Sequence, residues 1–436
     1  MFTHNNNVTL NGLRLCIIKI NQKTYIVRPN VANMNQQFTK PFYIFFLVFP
    51  AGISQGFATV ALPYLLTHNG FSVAEAAGIV AIGFSANLWR FVWGPVVDLS
   101  LSLRKWFWIG LVACTVSLLL LCFTTLVVKG AILLTVIVFI SQVAATFTIL
   151  PVSGFMAKRI EENRKGSGAG WFQAGSLSGV GVGGGAGLWL ATHYGVGTAG
   201  FVLCAISVVF ASVVLLINDV EHNKEKTVLK EITAMGKDIL SMLKIPVALF
   251  TVILIMMPIG SGAAANLWSA IGQDWNTDVD TVALVTGLLS GLVSAVGCLV
   301  GGFIVDRRGV WFAYLGSGAI CALVTLIMGV LPYQPAVYIT GVLAYNFGIG
   351  LINAAFTSVI LFAIGKKNAS TKYSLLASLG NLPVVYMTAF DGWAHDKHNS
   401  KFMLLTEAAL GIMFIIICVI VLNRMKDKKL LVRVVD

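Results

Sequence analysis

Long apolar runs dominate the chain from Pro41 onward, and short polar intervals separate them. These runs reach about 20 residues, the length that an α-helix needs to cross a bilayer. The predicted spans are 42–67, 73–97, 106–128, 131–157, 168–191, 198–218, 246–270, 281–304, 311–331, 336–363, 372–393 and 402–423. The longest polar interval, 219–244, divides the twelve into six and six. The pattern predicts an all-α membrane protein with two six-helix bundles.

The domain organisation follows from this division. The sequence predicts an N-terminal tail at 1–41, a first bundle at 42–219, a central loop at 220–245, a second bundle at 246–424 and a C-terminal tail at 425–436. The longest apolar run of the N-terminal tail is too short for a signal peptide. We interpret residues 1–33 as a disordered tail or as an extension upstream of a start at Met34, and both alternatives stay open.

Composition supports a membrane protein. The residues are 57% hydrophobic and 11% charged, whereas soluble domains carry about 25% charged residues. Six of the seven cysteines lie inside apolar runs and none forms a CxxC pair, which argues against a disulfide or metal framework.

The net charge of +12 is explained by topology. With the N-terminus inside, 26 of the 30 Lys and Arg residues fall in tails and loops on the inner side, as the positive-inside rule requires. We therefore expect a multi-pass protein of the cytoplasmic (inner) membrane with both termini in the cytoplasm. The basic charge then indicates no nucleic-acid partner.

Two matched segments end the second and eighth predicted helices. Each places a glycine four residues before an aspartate, as Gly94 and Asp98 and as Gly302 and Asp306. Such a carboxylate can accept hydrogen bonds from the N-terminus of a neighbouring helix. We predict a latch that breaks when the halves rock; solvated loop acids are the alternative. The gating candidates are Gly94, Asp98, Arg104, Gly302, Asp306, Arg307 and Arg308.

Arg90 lies eight residues before Asp98, about 12 Å along a helix. Helical spacing places it on one small, polar face with Asn87 and Gly94. A charge at that depth is costly and by default faces the bundle interior. Arg90 is therefore a candidate for binding an anionic group of a substrate. The alternative is a structural ion pair or snorkelling toward the cytoplasm.

Glycines recur at four-residue spacing in the fifth and eighth predicted helices. Small residues let membrane helices approach closely, so we expect these two helices to pack across the boundary between the halves, either statically or with sliding. No Lys-Ser/Thr follows the glycines, which argues against a nucleotide-binding loop. The packing candidates are Gly175, Gly179, Gly183, Gly187, Gly287 and Gly291.

Isolated polar residues occur in several other predicted helices. Polar groups in lipid need partners and tend to face the interior, so each is either a ligand contact or a bond between helices. Asp391 and Glu407 lie near the outer ends of their helices, where we expect them to reach water, and they are candidates for proton coupling. The substrate-binding candidates, with Arg90, are Asn87, Gln55, Gln142, Asn266, Tyr345, Asn346, Asn353, Asn381 and Tyr386.

The sequence carries no HExxH or GxSxG motif and no Cys or His cluster at metal spacing. We therefore expect no enzyme activity, no metal and no cofactor, with proton coupling left open. The expected partners are a small-molecule substrate and the lipid bilayer, and the expected state is a monomer.

With its twelve predicted helices, its two halves and the matched segments at Asp98 and Asp306, the chain resembles a major facilitator superfamily transporter. The segments ending at Asp98 and Asp306 resemble the cytoplasmic signature loop of that superfamily. The segment 89–98 resembles the AmpG-like branch, which includes muropeptide permeases, acetyl-coenzyme A transporters and some siderophore permeases. Similarity also runs through 161–189 and 370–393. The chain departs from the muropeptide permeases at Gln142, in a helix where they carry aspartates, and it lacks their two extra helices.

The resemblance implies a secondary active transporter that works by alternating access, with its site between the halves. It favours uptake of a polar solute, either neutral or anionic, such as a siderophore or a cell-wall fragment. Export of small drug-like molecules is the alternative within this class. A transport-inactive receptor or sensor on the same fold is a further alternative. The two matched segments ending at Asp98 and Asp306 argue against it, because a fixed receptor needs no contact that breaks when the halves rock. The substrate, the direction of transport and the coupling ion stay open.

Overall fold

The computed structural model describes residues 6–10, 13–20, 23–27, 38–69, 78–79, 82–83, 85–87, 89–124, 131–219, 228–365 and 368–427. The chain divides into two compact units, Met1–Thr39 and Lys40–Asp436. In the first unit, β1 (Asn6–Leu10), β2 (Leu13–Ile20) and β3 (Lys23–Val27) form an antiparallel sheet in the order β1-β2-β3. These strands lie where the sequence was interpreted as a disordered tail or an upstream extension.

A local signal explains the first hairpin of this sheet. Leu10 pairs with Leu13, and the two residues between them are Asn-Gly. This dipeptide favours the tight turn that joins two antiparallel strands. Each strand is only five to eight residues long, much shorter than the apolar runs that predict membrane spans.

The first half of the second unit contains helices α1 to α6. α1 includes a π-helical turn at Phe57–Ala61, and α5 continues through a second such turn at Val182–Ala186 into Gly187–Tyr194. Within the predicted span 73–97, residues 73–77, 80–81, 84 and 88 lie outside the described residues. The bounds are Tyr43–Leu66 for α1, Arg90–Leu99 for α2, Leu103–Thr124 for α3, Ala131–Arg159 for α4, Lys165–Gly181 for α5 and Val196–Leu216 for α6.

The second half contains α7 to α12 and follows a linker helix at Val228–Leu243, in the interval predicted as a central loop. The chain leaves the helical conformation after α7, and α11 is divided into two segments around Gly380 and Asn381. The bounds are Pro246–Ile255 for α7, Val285–Arg308 for α8, Val310–Val330 for α9, Pro335–Ile364 for α10, Ala369–Leu379 and Leu382–Lys397 for α11, and Ser400–Asp427 for α12.

The helices have the length and composition of membrane spans. Among the described residues, eight are long and apolar enough to cross a membrane, or nine if the linker helix and α7, which meet at 90°, count as one. The other predicted spans fall short because the segment before α2 is described only in part, α5 is rich in glycine, and α7 and α11 are interrupted. The all-helical membrane fold is confirmed for the second unit, and the full count of twelve spans stays a prediction.

Burial separates inner helices from outer ones. The most apolar window of α1 and of α10 is 72% buried, whereas that of α12 is only 28% buried. On α3, Ile109, Val112, Val116 and Leu120 form an exposed apolar stripe at helical spacing. Such a stripe suits contact with lipid tails, so α1 and α10 line the interior while α3 and α12 face the membrane.

The predicted glycine stripe of α5 faces α1, within the first half. A Cβ placed at Gly175 would lie 2.5 Å from the Phe45 carbonyl oxygen, and one at Gly183 would overlap the Ile53 carbonyl. The expected packing of α5 against α8 across the halves is present, but this stripe does not make it. α5 does pack against α8, but nearer its beginning, where a Cβ at Gly170 would lie 2.6 Å from the Cys298 carbonyl oxygen.

Gly287 and Gly291 do not serve as close-packing positions in the described part of the chain. Both are exposed, and a Cβ at either would have no described atom within 4 Å. α8 approaches its neighbours farther along, where a Cβ at Gly301 would lie 2.6 Å from the Leu351 carbonyl oxygen of α10. The spacing rule identified a face of small residues but not the point along it at which the helices meet.

Gly183→Ala tests this packing against a control from the same π-helical turn, Gly185→Ala. The added methyl group at position 183 must push α1 away from α5, an overpacking cost of about 1–3 kcal/mol. The methyl group at position 185 meets no atom within 4 Å, and alanine favours a helix over glycine. We expect thermal unfolding of the purified protein in detergent to shift down for Gly183→Ala only. Equal unfolding temperatures for both variants would contradict the assignment.

Candidate functional site

Asp98, in the last turn of α2, binds the beginning of α11. Its Oδ2 accepts hydrogen bonds from the Thr371 backbone N–H and from the Thr371 hydroxyl, both at 2.8 Å, and its Oδ1 accepts from the Ser370 N–H at 3.4 Å. The carboxylate thus caps a helix N-terminus, where the helix dipole favours a negative charge. Because α2 belongs to the first half and α11 to the second, this contact joins the two halves.

Asp306 makes the reciprocal contact at the end of α8. Its Oδ1 accepts from the Gly166 N–H at 2.8 Å, and its Oδ2 accepts from the Ser167 N–H at 2.9 Å. The Ser167 hydroxyl also donates to Oδ2. Here an acid of the second half caps α5 of the first half. We call the Asp98 and Asp306 contacts the two latches, and the end of the bundle that carries them the latch face.

The glycine of each Gly-x-x-x-Asp segment is where the latched helices touch. A Cβ at Gly94 would lie 2.6 Å from the Thr371 Cα, and one at Gly302 would lie 2.5 Å from the Gly166 carbonyl oxygen. One turn later, the aspartate is then within hydrogen-bond reach of the partner helix. The sequence predicted acids that cap neighbouring helices but did not identify α5 and α11. The gating role of the contacts stays a prediction.

The predicted gating arginines make no contact between the halves in the described part of the chain. The Arg104 N–H donates to the Asp219 carboxylate at 3.0 Å, and its guanidinium donates to the Ile217 carbonyl, both in the first half. The Arg307 guanidinium lies 4.8 Å from the ring of Phe303 on its own helix. Arg308 is exposed. The contacts of Arg104 and Arg307 thus lie within single halves, and the gating role of the three arginines stays a prediction.

A third contact at the latch face was missed in the sequence. Lys372 is buried, and its Nζ lies 3.0 Å from a carboxylate oxygen of Asp238 on the linker helix and 3.2 Å from the Ile364 carbonyl oxygen. The Asn368 amide donates to the same Asp238 oxygen at 3.0 Å. The linker helix is thereby bound next to the Asp98 latch. Sequence alone places Lys372 among the basic residues of the inner side and gives no sign that it pairs with Asp238 of the linker helix.

Arg90 lies at the boundary between the halves. Its guanidinium donates to Asn87 Oδ1 at 2.6 Å, and its Nε is buried without a hydrogen-bond partner among the described residues. Tyr373 of α11 is close enough to interact with it electrostatically. Gln173 of α5 donates to Thr357 of α10 at 2.8 Å, and Thr357 neighbours Tyr373. We call these five residues, from four helices of both halves, the Arg90 cluster.

A cavity lies in the second half where two helices are interrupted. It has an empty volume of about 480 Å³ and is bounded by the stretch after α7, by α10 and by the break in α11. Gly260 and Gly262 turn the stretch after α7 with φ of 56° and 80°, a region that favours glycine. Two predicted substrate residues, Asn353 and Asn381, line this cavity.

Two other substrate candidates bond within the bundle. The Gln142 amide, 3% exposed, donates to Ser141 Oγ at 3.2 Å and to the Ser54 carbonyl of α1 at 3.5 Å. The Asn346 amide donates to the Val342 carbonyl of its own helix at 2.9 Å. The Gln142 contact with α1 is a bond between helices, the alternative that the sequence left open, whereas the Asn346 bond lies within one helix. Gln55 is half-buried.

The remaining substrate candidates bind the interrupted region of α7 or a buried acid. Asn266 donates to the Thr388 hydroxyl of α11 at 2.9 Å, and the Tyr386 hydroxyl donates to the Met256 carbonyl at 2.9 Å. The Tyr345 hydroxyl donates to Glu407 Oε1 at 2.7 Å. The partners of these side chains come from helices distant in sequence, so spacing along one helix could not identify them.

Asp391 and Glu407 were expected to reach water, and the structure corrects this expectation. Asp391 is 0% exposed and Glu407 is 7% exposed. Both face neighbouring helices because α11 and α12 pack side by side near their connection.

Two halves joined by reciprocal contacts at one end, with polar residues at their boundary, are typical of a solute transporter. A family model described as Major Facilitator Superfamily matches residues 44–388. The chain belongs to this superfamily and is a multi-pass membrane protein. Family and fold point to a transporter and not to an enzyme.

Solved structures share the fold at low sequence identity. FucP, a Major Facilitator Superfamily transporter in the outward conformation, aligns with a TM-score of 0.70 and 13% identity over 87% of this chain and 97% of that chain. A structure of the E. coli fucose:proton symporter FucP aligns at 0.67, with the same identity and coverage. The human organic anion transporter MFSD10 aligns at 0.65 and 12% identity over 87% of this chain and 100% of that chain. No curated protein sequence matches the chain.

Asp98→Asn tests the first latch. The amide is a weaker acceptor than the carboxylate, and hydrogen bonds to charged groups contribute about 1.5–3 kcal/mol, so we expect the latch face to open more often. Spin labels at Glu161 and Lys426, exposed residues of the two halves, measure the opening by pulsed electron paramagnetic resonance in a cysteine-free background. The expected result is a larger population at long distance.

Asp306→Asn should act in the same direction, since its contact is the mirror of the first. The matched control is Asp396→Asn, whose side chain is 83% exposed and lies at the opposite end of the bundle. If the distance distribution is the same in the wild type and in both latch variants, these contacts do not hold the halves together.

Proposed function

We propose that the protein is a secondary active transporter that moves a polar, anionic solute across the cytoplasmic membrane by alternating access. The reciprocal pair of latches carries this proposal. Each latch is a small set of charged hydrogen bonds between the halves, and a rocking motion breaks it without unfolding any helix. A fixed receptor has no need for two matched, separable contacts of this kind.

The latch face is assigned to the cytoplasm. The helix ends there carry Arg104, Lys105, Arg307 and Arg308, and basic residues next to membrane spans stay on the cytoplasmic side. With both latches closed at this face, the present conformation is outward-facing or occluded. The alignment with FucP in its outward conformation supports this assignment. Both termini then lie in the cytoplasm.

The Arg90 cluster is the proposed site for the anionic group of the solute. Arg90 is the one basic residue of the predicted spans far from a loop, and a guanidinium offers planar, paired donors that suit a carboxylate or a phosphate. The N–H group at Nε has no hydrogen-bond acceptor among the described residues, so it can donate to a bound anion. The cluster joins helices of both halves, so a bound anion would contact each half and sense their relative movement.

The cavity lined by Asn353 and Asn381 is the proposed site for a neutral polar part of the same solute. Amide side chains both donate and accept hydrogen bonds, which suits hydroxyl or amide groups. A solute with an anionic end and a neutral polar end fits the siderophores and cell-wall fragments that the AmpG-like resemblance suggests. Export of drug-like molecules is less consistent with a half-buried arginine at the boundary.

A thermal-shift screen of the purified protein against siderophores, muropeptides and acyl-coenzyme A compounds tests this proposal. We expect at least one anionic compound to raise the unfolding temperature of the wild type, because a ligand that binds only the folded state stabilises it. A screen in which only neutral compounds stabilise the protein would contradict an anion site.

Arg90→Ala should weaken binding of the compound found in this way by roughly 10- to 100-fold, the equivalent of one charged hydrogen bond. Lys105→Ala removes the same charge from an exposed position on the latch face and is the matched control. Isothermal titration compares the affinities. Unchanged affinity in Arg90→Ala would leave Arg90 with a structural role only.

A further inference from the structure

Asp391 and Glu407 lie at the same depth of the bundle, side by side on two antiparallel helices. α11 ends at Lys397 and α12 begins at Ser400. Asp391 is eight residues before Asn399 and Glu407 is eight residues after it, so each is about 12 Å along its helix from the connection. This depth is within the apolar part of the spans.

Neither carboxyl group has a cationic partner in the described part of the chain. Both oxygens of Asp391 and the Oε2 of Glu407 are buried without a hydrogen-bond partner there. Glu407 Oε1 accepts from the Tyr345 hydroxyl at 2.7 Å. The two acids are close enough to interact with each other, and Tyr345 and Cys321 are the titratable groups that face them from α10 and α9.

Two ionised carboxylates in such a place are unstable for two reasons. Burial in an apolar medium disfavours each charge, and the like charges repel. One proton relieves both problems, because a protonated carboxyl group donates a hydrogen bond to an oxygen that otherwise has none. The pair is thus most stable when it holds a proton.

We propose that Asp391, Glu407 and Tyr345 form a proton-binding site, and that the proton bound there is the coupling ion of the transport cycle. The second clause rests on the proposed transport function, whereas the first does not. In the present conformation the pair holds the proton, and in another state of the cycle the proton leaves to water. The site is separate from the cavity lined by Asn353 and Asn381.

The surroundings of the pair connect the proton to the interrupted part of α7. The ring of Tyr345 packs edge-on against Trp268 with centroids 5.3 Å apart, and the Tyr338 hydroxyl donates to the Trp268 carbonyl at 2.6 Å. Asn266 is bound to Thr388, three residues before Asp391. Loss of the proton would place a charge beside these anchors and favour movement of the segment that follows α7.

Infrared difference spectroscopy of the purified full-length protein tests the site without any substrate. The protonated carboxyl C=O band of the pair should disappear as the pH is raised, because the proton then leaves to water. Asp391→Asn and Glu407→Gln should each shift this titration, because the repulsion between the two acids is lost, and the double variant should abolish it. Both are neutral and nearly the same shape as the protonated acid, so we expect them to fold. Persistence of the titrating band in the double variant would overturn the proposal.

His395 is the other titratable group nearby, four residues from Asp391, with its Nε2 3.4 Å from Asp274. His395→Gln is therefore the matched control, and it should leave the carboxyl band in place. Tyr345→Phe should shift the midpoint of the titration without removing the band. A band lost only in His395→Gln would assign the proton to the His395 and Asp274 pair and overturn the site proposed here.

Transport assays in proteoliposomes separate the two proposals. With the compound found in the thermal-shift screen, Glu407→Gln should keep solute exchange and lose accumulation driven by a pH gradient. Accumulation that survives in Glu407→Gln overturns the coupling role. Absence of any exchange by the wild type overturns the transport function, while the infrared titration decides the proton site independently.

Discussion

The alternation proposed here depends on one kind of contact, in which a carboxylate of one half caps the N-terminus of a helix in the other half. A helix N-terminus presents N–H groups that have no partner within the helix, and an apolar environment supplies none. Asp98 and Asp306 supply the acceptors. The contact is directional, so a small rotation of one half removes it. The Arg90 cluster joins α2, α5, α10 and α11, the same helices that the latches involve or adjoin, so anything bound there acts close to these contacts.

The parts of this arrangement that a sequence can reveal are those governed by local rules. A glycine four residues before an acid at a helix exit, as at Gly94 and Asp98, encodes both a close approach and a cap, and this pattern was read correctly as capable of capping. Apolar runs similarly predict helices of membrane-spanning length, and eight of these are present among the described residues. The partners of Tyr345 and Lys372 could not be read, because they come from helices far away in the sequence and are chosen by packing.

The interruptions of α7 and α11 show a second limit. Hydropathy averaged over about 20 residues passes smoothly across Gly260 and Gly262, whose positive φ angles turn the chain. The candidate cavity lies at these breaks, so the feature that shapes a binding site is the one that averaging removes. The glycines of α8 give a similar example. Their spacing predicts which face of the helix packs, but it does not predict where along the helix a neighbour crosses.

The burial of Lys372 has a thermodynamic consequence. Its ammonium group is compensated by Asp238 of the linker helix, and removing one partner of a buried ion pair costs about 3–5 kcal/mol. Thr371, the adjacent residue, is the one that Asp98 holds. Docking of the linker helix and closure of this latch are therefore linked equilibria, and linkage is reciprocal. The linker helix therefore does more than connect the halves. The stability of its docked position contributes to the balance between the two conformations.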